Sequence, residues 1–505
     1  MLKRSLFLAL LLLPLLAGAQ QTAVRSQAQL DRMADQTPWF SSANAAGLTV
    51  RPVLPYNTVD FSWKHEDGAL RRYPEGAHVR DLRFDTQGAR KVGKVLLWGE
   101  FRYDNIADHG SSFNTVLYDP FDERFLYTVA DSVASTWKKQ AYDMAFKAAM
   151  PLAGEALTGG IAVRYTDKIA AKQNDPRSES YHYSVTVQPG FVLKAGTHRI
   201  GLNGLYSRTF VRATPTISNS TVIQPVFLLK GVGNFLNDVV GSNGLSTLYF
   251  RSEGFGGGLQ WGWEDAGTQL LADVQARHDR SRIQESATQP RLQGTTRRLE
   301  LEGKMTAVWG AGNILTLSGT YAQCTGIEPT TVWNTAEGIW EVRAEIPQCD
   351  FRTLRIRTAY DKYIGADPWL WKVHADLGYD RKDDTYALPK AGFAYSNVHG
   401  KLGADRIFPA GQRMSLRVGL RAGAVKNLSG AYLYEGIHPG NAPAATWYPH
   451  DWKVLASDRL VQQMTVAWNF PAGKQSHAEL SLKLDAAEAE AGARIATVTA
   501  LSILF

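Results

Sequence analysis

The sequence predicts an all-β fold: a transmembrane antiparallel β-barrel of about eighteen strands, with sixteen as the alternative count. Three observations carry that prediction. Apolar and polar residues alternate for about ten positions at a time, connections run alternately short and long, and the chain ends on an apolar strand closed by an aromatic residue.

The end of the chain sets the frame. Phe505, Ile503, Leu501, Thr499, Thr497 and Ile495 form one period-two face, and Leu504, Ser502, Ala500, Val498, Ala496 and Arg494 form the other. The first face is the larger and more apolar, so Ile503 and Leu501 are expected to meet lipid. Phe505 is expected at the periplasmic rim, where it also serves as an assembly signal. Its deletion should impair insertion by the barrel assembly machinery more than its few contacts suggest.

The start of the chain reads as an export signal. Lys3 and Arg4 precede an apolar run from Leu6 to Leu16, followed by Ala17-Gly-Ala19, so residues 1–19 are expected to be a signal peptide. The run is too short for a membrane helix. Losing Lys3 and Arg4 lowers the formal charge from +7 to +5, a mild excess on a long chain that does not point to nucleic acid. Trp 14, Tyr 20, Phe 20 and Gly 45, with no later apolar stretch of helical span, fit a barrel that crosses with strands.

Residues 20–56 show no alternation and are read as a periplasmic or luminal segment, with a short helix near Ala23–Arg32 and a cap or turn within Ser41–Asn44. It is too short for a folded plug domain. Residues 57–505 form the barrel. The clearest alternating faces begin at Tyr181, Trp369, Met414 and Ala478, and aromatic residues at their ends match interfacial girdles. Short periplasmic turns are expected at 88–91, 151–154, 194–197, 264–267, 310–312, 365–368, 408–412 and 471–473, most with Gly or Pro. Long extracellular connections are expected at 107–137, 169–179, 211–245, 286–295, 326–350 and 426–456. The hairpin 57–66 with 77–87 is the weakest pair, and its loss from the wall would give sixteen strands.

The inward face carries both charge signs. Arg355, Arg357, Arg413, Arg417 and Arg421 could form a positive stripe on one wall of a pore, with Lys372, Asp376 and Glu479 also lining the lumen. Because acids are equally abundant, pairing across neighbouring strands is the competing reading. Cys324 and Cys349 flank an expected loop, and a disulfide between them would close about 25 residues and add about 3 kcal/mol. The stretch 426–456 is rich in rings, with Tyr432, Tyr434, His438, Trp447, Tyr448 and Trp452 as candidates to bind a ligand or partner, although a loop of this kind more often packs on itself over the barrel mouth. His438, His450 and Asp451 do not amount to a metal site, and no cofactor is expected. Gly-x-Ser-x-Gly, His-Glu-x-x-His and phosphate-loop motifs are missing from the sequence, and Tyr395-Ser-Asn-Val-His399 reads as strand, so no catalytic residue is assigned.

Pro38-Trp-Phe-Ser-Ser-Ala-Asn-Ala-Ala-Gly-Leu48, Lys94-Val-Leu-Leu-Trp-Gly-Glu-Phe-Arg-Tyr-Asp-Asn105, Gln188-Pro-Gly-Phe191 and His198-Arg-Ile-Gly-Leu-Asn-Gly-Leu-Tyr206 resemble an uncharacterised family of Bacteroidota outer-membrane β-barrels. The resemblance spans most of the mature chain. It implies an outer-membrane location near TonB-dependent receptors and surface lipoproteins, and a role in nutrient or metal acquisition. It supplies no catalytic residues. The expected function is a non-enzymatic channel or accessory barrel for uptake. A surface-binding or assembly protein that docks a lipoprotein is the alternative, and an outer-membrane hydrolase the third reading. The expected partners are outer-membrane lipids, the assembly machinery, and a TonB-dependent receptor or surface lipoprotein.

Overall fold

The computed structural model describes residues 24–505 apart from 25, 52–53, 220, 223, 241–243, 366–367, 412 and 474–475. The expected signal peptide, 1–19, lies outside the described residues. In chain order the strands are β1 (Tyr56–Gly68), β2 (His78–Val92), β3 (Val95–Ser111), β4 (Val129–Ala130), β5 (Ser135–Ala153), β6 (Leu157–Lys172), β7 (Arg177–Ala195), β8 (His198–Thr216), β9 (Gln224–Gly231), β10 (Asn234–Val240), β11 (Leu248–Asp265), β12 (Thr268–Glu285), β13 (Arg291–Trp309), β14 (Asn313–Asn334), β15 (Ile339–Ile364), β16 (Trp371–Tyr386), β17 (Ala391–Pro409), β18 (Ser415–Tyr434), β19 (Arg459–Pro471), β20 (His477–Ala489) and β21 (Gly492–Leu504). Eighteen of them form one antiparallel sheet, while β4, β9 and β10 form a small separate sheet.

The large sheet closes on itself. β21 pairs with β1 in the register Leu501↔Phe61 and Ile503↔Val59, so no edge is left open. The first hairpin is therefore in the wall, and the count is eighteen rather than sixteen. Its seam is finished by Phe505, whose N–H and C=O both hydrogen-bond Asn57 at 3.1 Å.

The outer face is apolar at mid-height. Leu402 is 69% exposed, Leu377 64%, Phe255 62% and Leu420 60%, on separate strands around the cylinder. A continuous belt of this kind is what lipid requires and water penalises. The strands are longer than a bilayer needs. β1 has 13 residues and β15 has 26, against the roughly 9–11 that cross the hydrocarbon at a tilt.

One end of the barrel has both short and long connections; where 169–179 and 286–295 are expected to be long, β7 and β13 start early and leave only 173–176 and 286–290, and 490–491 is shorter still. At the opposite end every connection is short, beginning with 93–94 between β2 and β3 and continuing with those of β5–β6, β7–β8, β11–β12, β13–β14, β15–β16, β17–β18 and β19–β20. The first falls later than the expected 88–91, because β2 continues through Val92 and Gly93, at φ +59°, makes the reversal. The long connections at the other end are 112–134, 217–247 and 435–458. The stretch 326–350, expected as a loop, is instead mostly the paired tips of β14 and β15. Register shifts at Gly326/Ile327 and Thr330/Thr331 break the alternation there, which hides the strands from a period-two reading.

Both mouths of the cylinder are filled. At the short-turn end lie a helix over Gln27–Asp35 and two 3-10 turns, Pro38–Ser41 and Ala45–Thr49. Ser26 caps the helix by accepting from Gln29 N–H, and Ala28 and Leu30 are its buried residues. At the long-loop end, 112–134 and 217–247 fold over the mouth around their own apolar core. Val116, Leu117, Phe125, Val129, Val226 and Leu245 pack there against the wall residues Val211, Leu248, Phe250 and Ile283.

Candidate functional site in the barrel lumen

Alternation that sends leucines outward sends charges inward, and the inward charges meet across strands. Arg102 bonds Asp85 at 3.1 Å and Glu100 at 2.9 Å, Arg164 bonds Asp143 at 2.9 Å, and Arg421 bonds Asp405 at 3.1 Å. His399 sits 3.5 Å from Asp376 and 3.3 Å from Asp380. Such pairs keep a polar lumen electrostatically balanced without closing it.

The residues of the candidate basic stripe take different positions. Arg355 and Arg357 stand exposed, with Arg355 only loosely paired to Asp380 at 3.9 Å. Arg417 is held between Glu479 at 3.0 Å and Asp31 of the N-terminal helix at 3.3 Å. Lys372 likewise reaches Asp35 of that helix at 2.9 Å and Asp361 at 3.6 Å. Arg413 lies in a short turn beside His477, at 3.3 Å.

The N-terminal segment is thus tied to the wall by polar contacts along its length. Tyr363 donates to Asp35 at 2.6 Å, Arg32 donates to the Pro368 carbonyl at 2.7 Å, and Trp369 donates to the Ala28 carbonyl at 3.2 Å. Trp369, expected in an outer girdle, is therefore buried against this helix, and β16 starts only at Trp371. On the opposite wall Asn44 is the anchor. Its amide donates to Phe191 O at 3.0 Å, Leu202 O at 3.2 Å and Gln260 Oε1 at 2.9 Å, while its carbonyl oxygen accepts from Ala46 N–H. Gln260 in turn donates to Asn203 and Asp273, and Ser42 donates to Asp273 at 2.9 Å. Gly160 faces Ala45 and Ala46 so closely that any Cβ there would meet their backbone.

The opposite seal has apolar and aromatic joints. Phe113 stacks on Trp447 at 5.1 Å, Phe125 meets Phe250 edge-on at 5.2 Å, and Tyr432 lies parallel to Tyr448 at 6.3 Å. A helix at Tyr448–Leu455 brings Asp451 under the loop 69–77, where it accepts from Tyr73 N–H at 2.9 Å and Trp447 Nε1 at 2.8 Å. Burial pushes the Asp451 carboxyl up to about 7, against the pull of those hydrogen bonds. The ring-rich stretch is therefore gathered into the seal: Trp447 is buried, Tyr448 half-buried, Trp452 donates to Ala394 O, and Tyr434 packs in the same cluster, while His438 stays exposed. His450 bonds the Arg71 carbonyl, so it does not join His438 and Asp451 around a common point.

The expected disulfide is not formed. Cys324 and Cys349 are both free, on adjacent strands rather than at the ends of a loop. Each thiol is occupied by a different piece of the seal, Cys324 donating to the Glu123 carbonyl at 3.2 Å and Cys349 to the Lys230 carbonyl at 2.9 Å. They are latch points for two loops.

Between the seals lies a polar cavity of about 260 Å³, lined by Tyr118, Asp122 and Arg124 of the folded-in loop and by Lys168, His182, Ser184 and Arg277 of the wall. Arg124 is held by Asp122 and Arg277 by Asp279, which leaves Lys168 over the Tyr118 ring at 4.9 Å. The lining can hold a small polar solute. The Ser396 hydroxyl bonds Ser429 while His399 bonds acids, so these two do not form a nucleophile–base pair. Alternation made the wall charges legible, whereas Asp31, Asp35, Asn44 and Asp122 sit on segments with no period. The one sequence signal for them is a run of small residues, Ser41 to Gly47, interrupted by a single amide.

A family model described as a family of unknown function, DUF6850, matches residues 45–503. No protein with a curated description matches the sequence. Among solved structures the chain is similar in fold to the ferric preacinetobactin receptor BauA from Acinetobacter baumannii, with 10% identity, TM-score 0.38, and coverage of 89% of this chain and 80% of that one. It is similar to the outer membrane transporter YddB from Escherichia coli, with 6% identity, TM-score 0.39 and coverage of 89% and 81%. It is also similar to a FadL homologue from Pseudomonas aeruginosa, with 10% identity, TM-score 0.37 and coverage of 92% of each chain.

Proposed function

We propose that this chain, which belongs to the DUF6850 family, is a gated outer-membrane barrel that takes part in uptake at the cell surface, as a channel or an accessory barrel for a small polar solute. One observation carries the reading: a charged lumen inside an apolar belt is closed at both mouths by segments that hold on without covalent bonds. A closed wall could serve structure alone, but polar ties such as Asn44–Gln260 and Arg417–Asp31 can be exchanged for water, as a gate requires. The long-loop end is then extracellular and the short-turn end periplasmic.

The location is tested by fractionating a Gram-negative host that makes the protein with its own leader. The expected result is recovery in the outer membrane, with migration in gels that shifts on heating. Recovery as a soluble periplasmic protein would overturn the reading.

The docking alternative has its own support. The β14–β15 tip stands out from the wall with Val332, Ile339, Val342 and Ile346 exposed beside the Trp333–Trp340 ring pair. Apolar groups presented this way are usual where a partner binds. Replacing the tip with a short Gly-Ser turn should abolish co-purification of a surface lipoprotein under mild detergent if docking is the role. Unchanged uptake in that variant would favour the channel.

A further inference from the structure

On the outer wall, β8, β11, β12 and β13 carry a group of arginines at the long-loop edge of the apolar belt. Cross-strand register places Arg208, Glu253, Arg280 and Arg297 in one row, and Arg251 directly opposite Arg282 in the next. Arg212 lies one step higher on β8, over the Tyr181 ring at 4.9 Å. All the arginines of this group are exposed, and among the described residues none forms an ion pair.

At several other places on the outer face charges are neutralised locally: Arg352 pairs with Asp350, Arg381 with Asp383 and Lys426 with Asp458. Like charges directly opposite on paired strands repel, and both Arg251–Arg282 and Arg280–Arg297 are such pairs. Glu253, opposite both Arg208 and Arg280, offsets part of this charge, but six arginines outnumber it, so the patch calls for an anion from outside the chain. A groove of about 480 Å³ is already shaped there, walled by Arg208, Arg251, Arg280 and Arg282 with Glu253 among them on one side and by Val342 and Glu345 of the projecting hairpin on the other. Immediately below, toward mid-belt, the register continues as Tyr206–Phe255 and then Leu202–Leu259. Phe255 is 62% exposed and Leu202 61%. Guanidinium groups above a hydrocarbon wall match an amphiphile whose head carries phosphate and whose tails are acyl chains.

We propose that this patch binds the phosphorylated headgroup of a lipid in the leaflet at the long-loop end, with its chains lying on the Tyr206–Phe255 and Leu202–Leu259 rows. The inference rests on the outer-membrane reading. Free phosphate offers the same oxygens but would leave the apolar rows unused, so the commitment is to the lipid.

The test uses the full chain in phosphatidylcholine nanodiscs doped with diphosphoryl lipid A, with bound lipid counted by native mass spectrometry. The wild type is expected to retain lipid A at least about tenfold better than the R251Q/R280Q/R282Q variant. Arg352→Gln, on the same face, should change nothing. Enzymatically dephosphorylated lipid A should be retained no better by wild type than by the triple variant. Equal retention of lipid A by wild type and triple variant would overturn the proposal, as would displacement of the lipid by inorganic phosphate at equal concentration. Insertion into nanodiscs is scored separately for both proteins. Failure to insert would defeat the membrane reading, whereas insertion without a phosphate preference would defeat this inference alone.

Discussion

The two seals solve one problem with opposite chemistry. The N-terminal segment sits in the short-turn mouth through hydrogen bonds and ion pairs to a charged wall, and its apolar clusters are small. The folded loops in the long-loop mouth share an apolar core with Phe250 and Ile283 of the wall, reinforced by stacked rings. Polar ties exchange with water at little net cost, while an apolar core must open as a unit. The difference predicts that the lower seal is displaced more readily than the upper, which is built as a folded lid.

The largest effect is expected where the lid meets the wall. Phe250→Ala removes a fully buried ring from under Phe125 and should cost the lid about 3–5 kcal/mol. Cys324 and Cys349 supply the readout, since both are buried beneath lid carbonyls. A maleimide should label them slowly in the wild type and many times faster in the variant. Equal labelling rates would show that the lid does not depend on this core.

Asn44→Ala attacks the lower seal. It removes donors to two wall carbonyls and to Gln260, which should weaken the segment's hold by about 1–3 kcal/mol. Protease nicking within 26–51 should rise while thiol labelling under the lid stays unchanged. A change in both would mean that the seals are coupled rather than independent.

The smallest effect is a pH dependence in the lid. Asp451 is held at about 7 in the fold, above the ordinary value near 4, chiefly by burial. A raised carboxyl contributes stability that is full below about 4 and is lost as pH rises to about 7. Arg72 and Glu75 face it from the neighbouring loop and act in opposite directions. Hydrogen exchange of 448–455, corrected for its intrinsic rate, should be slower at about pH 5 than at about pH 8, and Asp451→Asn should remove that difference. Protection independent of pH in the lid would remove Asp451 from the account.

What sequence reasoning could see follows from periodicity. A strand with lipid on one side and water on the other must alternate, so Leu480, Leu482 and Leu484 and the closing strand to Phe505 were readable at once. The lower seal was not, because 3-10 turns and a two-turn helix impose no period, and because Asn44 works through partners more than a hundred residues away. The upper seal was legible in part. That the rings of 426–456 pack on one another over the mouth, as Tyr432 does on Tyr448, is the commoner fate of such a loop, whereas Phe113 stacking on Trp447 comes from a loop more than three hundred residues away and leaves no local signal. The cysteines illustrate the same limit: their spacing suggested a bridge, whereas each is used by a different loop.

The central claim is that the short N-terminal segment closes an otherwise passable lumen. Single-channel recording in planar bilayers, comparing the full mature chain with one lacking residues 26–51, tests it most directly. The full chain is expected to be nearly silent, with rare brief openings, and the shortened chain to show frequent discrete openings gated by the lid alone. A full chain that conducts steadily, or a shortened chain that inserts and stays as silent as the full one, would contradict the claim.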